Sequence, residues 1–78
     1  MTGERHGYDR LLLATGAMPS WLSLPGFDLP NVHCLGSLAD ANRLLADCAN
    51  AKTVAVVGAG FIGLEAAGAL RARGLEVH

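Results

Sequence analysis

Residues 51–78 read AKTVAVVGAGFIGLEAAGALRARGLEVH, and this stretch decides the fold. Thr53-Val54-Ala55-Val56-Val57 is a short apolar run with three valines, long enough for a buried strand and too short for a helix. It opens directly into Gly58-Ala59-Gly60-Phe61-Ile62-Gly63, which is G-x-G-x-x-G. Good helix formers follow from Leu64 to Arg73, and Gly74 stops them. Leu75-Glu76-Val77-His78 then begins a second strand. The pattern is the opening β-α-β of a nucleotide-binding fold.

Each glycine of the turn has a physical reason. Gly58 lets the backbone turn sharply out of the strand, Gly60 leaves room for a pyrophosphate, and Gly63 lets the helix pack closely on the strand. The helix begins inside the turn, so its unpaired N–H groups and positive dipole end face the phosphate position. That dipole contributes only about 0.3–1 kcal/mol per charge at an exposed site, so direct N–H bonds carry most of the phosphate binding. The pattern extends to G-x-G-x-x-G-x-x-x-A-x-x-x-x-x-x-G, with Ala67 and Gly74 in phase. Ala67 falls on the helix face turned toward the sheet, where a small side chain permits close packing. A structural glycine turn, or a β-α-β that holds no dinucleotide, is the competing reading of this segment alone.

Composition sets the outer bounds. At 78 residues the chain makes one small domain at most, and a chain of that size buries only about 60% of its unfolded surface. A hydrophobic content of 51% with a mean hydropathy of +0.34 is rich for so short a domain. That excess fits an internal fragment of a larger α/β protein, whose parallel strands are buried on both faces. The net charge of −1 offers no electrostatic attraction to nucleic acid or to an acidic membrane surface. Cys34 and Cys48 form no C-x-x-C and no metal-type cluster, and read as reduced thiols of a cytoplasmic protein. Leu11 to Ala14 is too short for the apolar core of a signal peptide. Val54 to Leu70 contains four glycines and Glu65, and falls short of the roughly 20 residues that a membrane span needs.

Upstream, residues 1–7 read as a strand end plus a hairpin turn. Leu11-Leu12-Leu13-Ala14 reads as a buried strand ending at Thr15-Gly16. Glycine at such an end allows a ligand or another backbone to come close, although for this segment taken alone a plain strand-to-turn exit is the preferred reading. Residues 17–31 hold all three prolines and the only tryptophan; Pro25-Gly26 is a turn, and Trp21, Leu22, Leu24 and Phe27 are apolar enough to pack. Val32 to Leu35 reads as a short strand, in which His33 has no identifiable partner. Ser37 is an N-cap with Asp40 at the N3 position, and the helix runs through Leu38, Ala41, Leu44, Leu45 and Cys48 to about Asn50. No Ser/His/Asp arrangement, metal cluster, Walker Lys-Ser/Thr or nucleophile elbow is present, so any chemistry belongs to a bound cofactor or to sequence outside these residues.

Taken in order, YDRLLLATGA at 8–17, LPG at 24–26 and VAVVGAGFIGLEAAGAL at 54–70 resemble the pyridine nucleotide–disulfide oxidoreductase superfamily of two-dinucleotide flavoproteins. The wording GAGFIGLE is most similar to the ferredoxin/rubredoxin reductase-like branch. The pairing of Ala14-Thr15-Gly16 with G-x-G-x-x-G 42 positions later is far more specific than either motif alone. The resemblance implies an α/β fold: a Rossmann-like β-α-β opening an NAD(P)-binding domain, preceded by the end of an FAD-binding segment. Residues 1–36 then close the FAD segment, and residues 37–78 form a linker helix and the truncated start of the NAD(P)H domain.

It further implies that Thr15 and Gly16 lie beside FAD, while Gly58, Ala59, Gly60, Ile62 and Gly63 belong to the NAD(P)H-binding turn. Phe61 matches an aromatic next to the nicotinamide pocket, and Glu65 a glutamate able to accept a bond from the carboxamide. A helix-packing Phe61 and a first-turn Glu65 that favours the dipole are the structural alternatives. The implied activity is hydride transfer from NAD(P)H to FAD, with electrons passing on to an acceptor such as a ferredoxin or rubredoxin. Some positions depart from the family pattern. Ser20 follows Pro19 where arginine is frequent, and arginine is also common near Gly36. The residue that reads the ribose 2′ position falls beyond His78, which leaves NADH versus NADPH open, with Gly63 leaning to NADH. A non-flavin Rossmann dehydrogenase and a non-catalytic dinucleotide-binding module remain as rival readings.

Overall fold

The computed structural model describes residues 3–78. Four elements follow in order: helix α1 (Leu38–Cys48), strand β1 (Thr53–Val54), helix α2 (Phe61–Ala72) and strand β2 (Glu76–Val77). The strands pair in parallel, with Thr53 opposite Glu76 and Val54 opposite Val77. Hydrogen bonding runs past the strand ends, from the Glu76 N–H to the Lys52 carbonyl (2.9 Å), the His78 N–H to the Val54 carbonyl (2.9 Å) and the Val56 N–H to the His78 carbonyl (2.8 Å). This is the β-α-β expected from residues 51–78.

Its closure is built around the end of α2. Gly74 takes φ +91 and donates to the Arg71 carbonyl at 2.9 Å, while the Leu75 N–H reaches back to the Leu70 carbonyl at 3.3 Å. These are the two bonds of a Schellman cap, whose outer pair of side chains normally meets in an apolar contact. Here that pair is Leu70 and Leu75, each 4% exposed, the buried hydrophobic residues among those described. The signal that ends the helix thus also seeds the core. Gly63, Ala66 and Ala67 lie half-buried on the same face of α2 as Leu70, and Val54, Val56 and Val77 are half-buried in the strands.

Only one face of the strand pair is covered. Val57 is 76% exposed, so the expectation of a strand buried on both sides holds for one side. A β-α-β crossover places its helix on a single face, and the second face needs another element.

Helix α1 begins as its sequence requires. The Ser37 hydroxyl accepts from the Asp40 N–H (3.1 Å) and donates to Asp40 Oδ2 (2.7 Å). Asp40 Oδ2 accepts the Gly36 N–H at 3.2 Å, and Arg43 reaches Asp40 Oδ1 at 2.6 Å. The reciprocal half of the capping box therefore lands one residue before the cap. The turn at Pro25-Gly26 also forms, with the Phe27 N–H donating to the Leu24 carbonyl at 3.3 Å and Gly26 at φ +90, as in a type II turn.

Three expectations fail. Residues 11–14 form no strand, and Leu11, Leu12 and Leu13 are 61%, 86% and 77% exposed. Residues 32–35 form no strand either, and Trp21 is 58% exposed instead of packed. The two strands fail for one cause: a strand is defined by a partner ladder, and no described residue offers one to these segments. Of the strand end and hairpin expected at 1–7, residues 1 and 2 lie outside the described residues, and residues 3–7 form neither. The outcome is an extended molecule. Its radius of gyration is 17.0 Å, against roughly 11–12 Å for a compact domain of this length.

Two consequences can be measured. Truncating one buried leucine of the cap removes half of the core contact, at a cost of about 2–5 kcal/mol. In Leu75→Ala the Glu76 and His78 amides should exchange with solvent at least tenfold faster. The pKa of Asp40 is lowered, first by the Ser37 hydroxyl and then by Arg43. Its contribution to α1 is present above the unfolded carboxylate pKa and is lost as pH falls through the lower folded value. Acid titration below about pH 3.8 should therefore fray the α1 N-terminus by amide exchange, and Asp40→Asn should remove that pH dependence.

Candidate functional site

The loop between β1 and α2 follows from two backbone facts. Gly58 has φ +119, a conformation that L side chains rarely adopt, and it redirects the chain out of the strand. Gly63 sits against that turn. A Cβ there would overlap the Gly58 carbonyl oxygen, lie 3.1 Å from its carbon and touch Val56 Cγ1 at 3.6 Å. The helix thus rests directly on the turn from which it springs, with no space for a side chain between them.

The opening of α2 is bare. Gly60 is the N-cap with φ −76 and ψ 179, and makes no side-chain cap bond. A Cβ at Gly60 would meet nothing within 4 Å. No acidic residue lies in the first turn, and the first intrahelical bond runs from the Leu64 N–H to the Gly60 carbonyl at 3.0 Å. The N–H groups of the first turn thus point out of the helix end toward an open approach, in the way that anion sites at helix N-termini are made. An elongated phosphate diester fits this cradle, because the open space at Gly60 is what a side chain would fill.

The remaining candidates are distributed around this end. Phe61 is the first helical residue and is 91% exposed, so it packs on nothing here. Ile62 is 64% exposed. Glu65 lies in the second turn, not the first, because the helix starts at Phe61; a dipole role for it is correspondingly weakened. Ile62, Glu65 and Ala66 form one wall of a shallow cleft whose other wall is Leu35 to Leu38 at the start of α1. Thr15 and Gly16 lie apart, in the exposed extended segment, with Gly16 at φ +75. The structure brings residues 58–65 together by local chain geometry and ties Thr15-Gly16 to none of them by a hydrogen bond among the described residues.

Two side-chain contacts escaped sequence reasoning. His33 Nε2 lies 2.8 Å from Asp47 Oδ2, with the histidine side chain 17% exposed. It clips the approach to α1 onto the last turn of that helix, and its partner fourteen positions away carries no local pattern. Pro19 packs on Gly36, again a non-local contact.

With this geometry established, comparison with known proteins identifies the class. The whole chain, residues 1–78, matches the sequence profile described as pyridine nucleotide-disulphide oxidoreductase, and the chain belongs to that family. The family is one of flavoprotein oxidoreductases that use FAD and NAD(P)H. Among similar proteins, rhodocoxin reductase of Rhodococcus erythropolis is 49% identical over 70 residues, which is 90% of this chain and 16% of that protein. The ferredoxin–NAD(+) reductase component of the p-cumate 2,3-dioxygenase system of Pseudomonas putida is 47% identical over 70 residues, 90% of this chain and 17% of the relative. NADH oxidase of Lactococcus lactis subsp. cremoris is 44% identical over 72 residues, 90% of this chain and 16% of the relative. The chain therefore spans about one-sixth of the length of these relatives. No solved structure matches it. No helix among the described residues is long and apolar enough to cross a membrane.

Gly63 provides a stability test separate from binding. Gly63→Ala forces a methyl group into the Gly58 carbonyl and should cost about 1–3 kcal/mol, read as faster exchange of the Leu64 amide and of the His78 amide across the ladder.

Proposed function

We propose that this chain is the junction of a flavoprotein oxidoreductase, in which an FAD-binding part (residues 1–36) passes into an NAD(P)H-binding part (residues 37–78). Gly58, Ala59, Gly60, Ile62 and Gly63 form the turn that receives the dinucleotide pyrophosphate. Phe61 and Glu65 border the nicotinamide, and Thr15 and Gly16 lie beside FAD. The observation that carries this reading is the bare, open N-terminus of α2 at Gly60, in a chain that matches the family along its full length.

The bound cofactors supply two-electron chemistry; the residues of this chain bind and align them, so no acid–base pair is demanded within it. The first-turn N–H groups hold the pyrophosphate, and Glu65 can accept a hydrogen bond from a carboxamide. The acceptor is a small iron–sulfur protein of ferredoxin or rubredoxin type. Support comes from relatives named as ferredoxin–NAD(+) reductase components. Free Cys34 and Cys48 support a cytoplasmic protein.

The test is Gly60→Val in the full-length protein. The Gly60 backbone lies outside the left-handed region and its surroundings are open, so the variant should keep its bound FAD and its fold. Dinucleotide affinity, followed by titration, should fall at least tenfold, equivalent to about 1.4 kcal/mol. Unchanged affinity for both NADH and NADPH would refute the pyrophosphate assignment.

A further inference from the structure

Gly36 stands immediately before the N-cap of α1, outside the left-handed region, so its backbone does not require glycine. Its surroundings are tight on one side. A Cβ at Gly36 would lie 3.3 Å from Pro19 Cγ and 3.5 Å from Pro19 Cδ. The position is also held from the other side, because the Gly36 N–H donates to Asp40 Oδ2 at 3.2 Å. Pro19 is three residues beyond Gly16, and on the far side of the same stretch Leu35–Leu38 faces Ile62 and Glu65 across the shallow cleft. Pro19 thus meets the start of α1 at Gly36, and the start of α1 in turn faces the first turns of α2 across that cleft. Proline fixes its own φ on one side of this contact, and Asp40 anchors the helix start on the other.

We infer that the Pro19–Gly36 contact is a spacer fixing how far the two candidate cofactor segments stand apart, which makes Gly36 a positioning residue for hydride transfer. This rests on the flavoprotein reading above. The reaction moves a hydride from nicotinamide to flavin, oxidising one by two electrons and reducing the other by two. It depends steeply on separation, and a misplacement of ~1 Å can cost ~100-fold in rate. In this reading Gly36 acts through Pro19 and not by contact with a cofactor.

The test uses the full-length protein with its native cysteines, Cys34 and Cys48 among them, replaced by alanine and spin labels at Ser20→Cys and Ala69→Cys, both exposed positions. In the cofactor-free protein, Gly36→Val should shift the mean label distance, and Gly36→Ala should shift it less in the same direction. The added change Pro19→Ala, which removes the obstructing ring atoms, should return it to the starting value. With FAD bound, Gly36→Val should slow flavin reduction at saturating NADH by about ten- to a hundredfold, while KM changes less than about twofold. Pro19→Ala should restore the rate in the double variant. If NADH and NADPH both fail to reduce the flavin of the parent protein, the flavoprotein reading itself falls. If the parent flavin is reduced and Gly36→Val or, should that variant not fold, Gly36→Ala leaves both distance and rate unchanged, the spacer is overturned. A rate that Pro19→Ala does not restore overturns it as well.

Discussion

The contact on which this structure depends is that of Gly63 with the Gly58 carbonyl. Helix α2 can spring from the end of β1 only because no side chain separates the two. That closeness places the first-turn N–H groups of α2 at the mouth of the loop, where Gly60 leaves the approach open. Displacing the helix by the thickness of a methyl group would move these donors away from the mouth of the loop. The geometry of the candidate site is therefore inherited from a packing constraint, and the residues that face a ligand are different from the residue that aims them.

A second constraint closes the unit at its other end. The Schellman cap after α2 reverses the chain into β2, and its Leu70–Leu75 pair supplies the buried apolar contact. Between Gly63 at one end of the helix and Leu75 just past the other, the β-α-β is defined with little help from the rest of the chain. The segment before α1 is organised differently. The exposed surface totals 7170 Å², against roughly 4,500 Å² for a compact protein of 8.1 kDa. Much of the difference is apolar, including Leu11 to Leu13, Met18 and Trp21. Such a surface fits the reading in which this chain is a junction that other parts of a larger protein cover.

Short-range patterns decided by themselves that β1, α2, β2 and the start of α1 form, and where the candidate site lies. The valine run, the glycine turn and the helix formers stopped by Gly74 predict β1, α2 and β2, because each depends on neighbours within a few positions. Ser37 with Asp40 predicts the start of α1 for the same reason, and the family is legible in the ATG, LPG and GAGFIGLE wording taken together. The same logic misled where a segment needed a distant partner. Leu11-Leu12-Leu13-Ala14 has the composition of a strand, but a strand exists only as half of a hydrogen-bonded pair, and none of the described residues completes it.

What tertiary structure alone decided is how distant residues meet. The packing of His33 on Asp47, of Pro19 on Gly36 and of Leu35–Leu38 opposite Glu65 joins positions fourteen or more apart. No local periodicity encodes such contacts; they arise when the connecting chain folds back on α1 and brings α1 beside α2. Glycine at 58, 60 and 63 determined that the turn is tight and the N-terminus of α2 open. The folded arrangement determined where that open end stands relative to the segment before α1, because separation is a property of packed elements and not of their sequences.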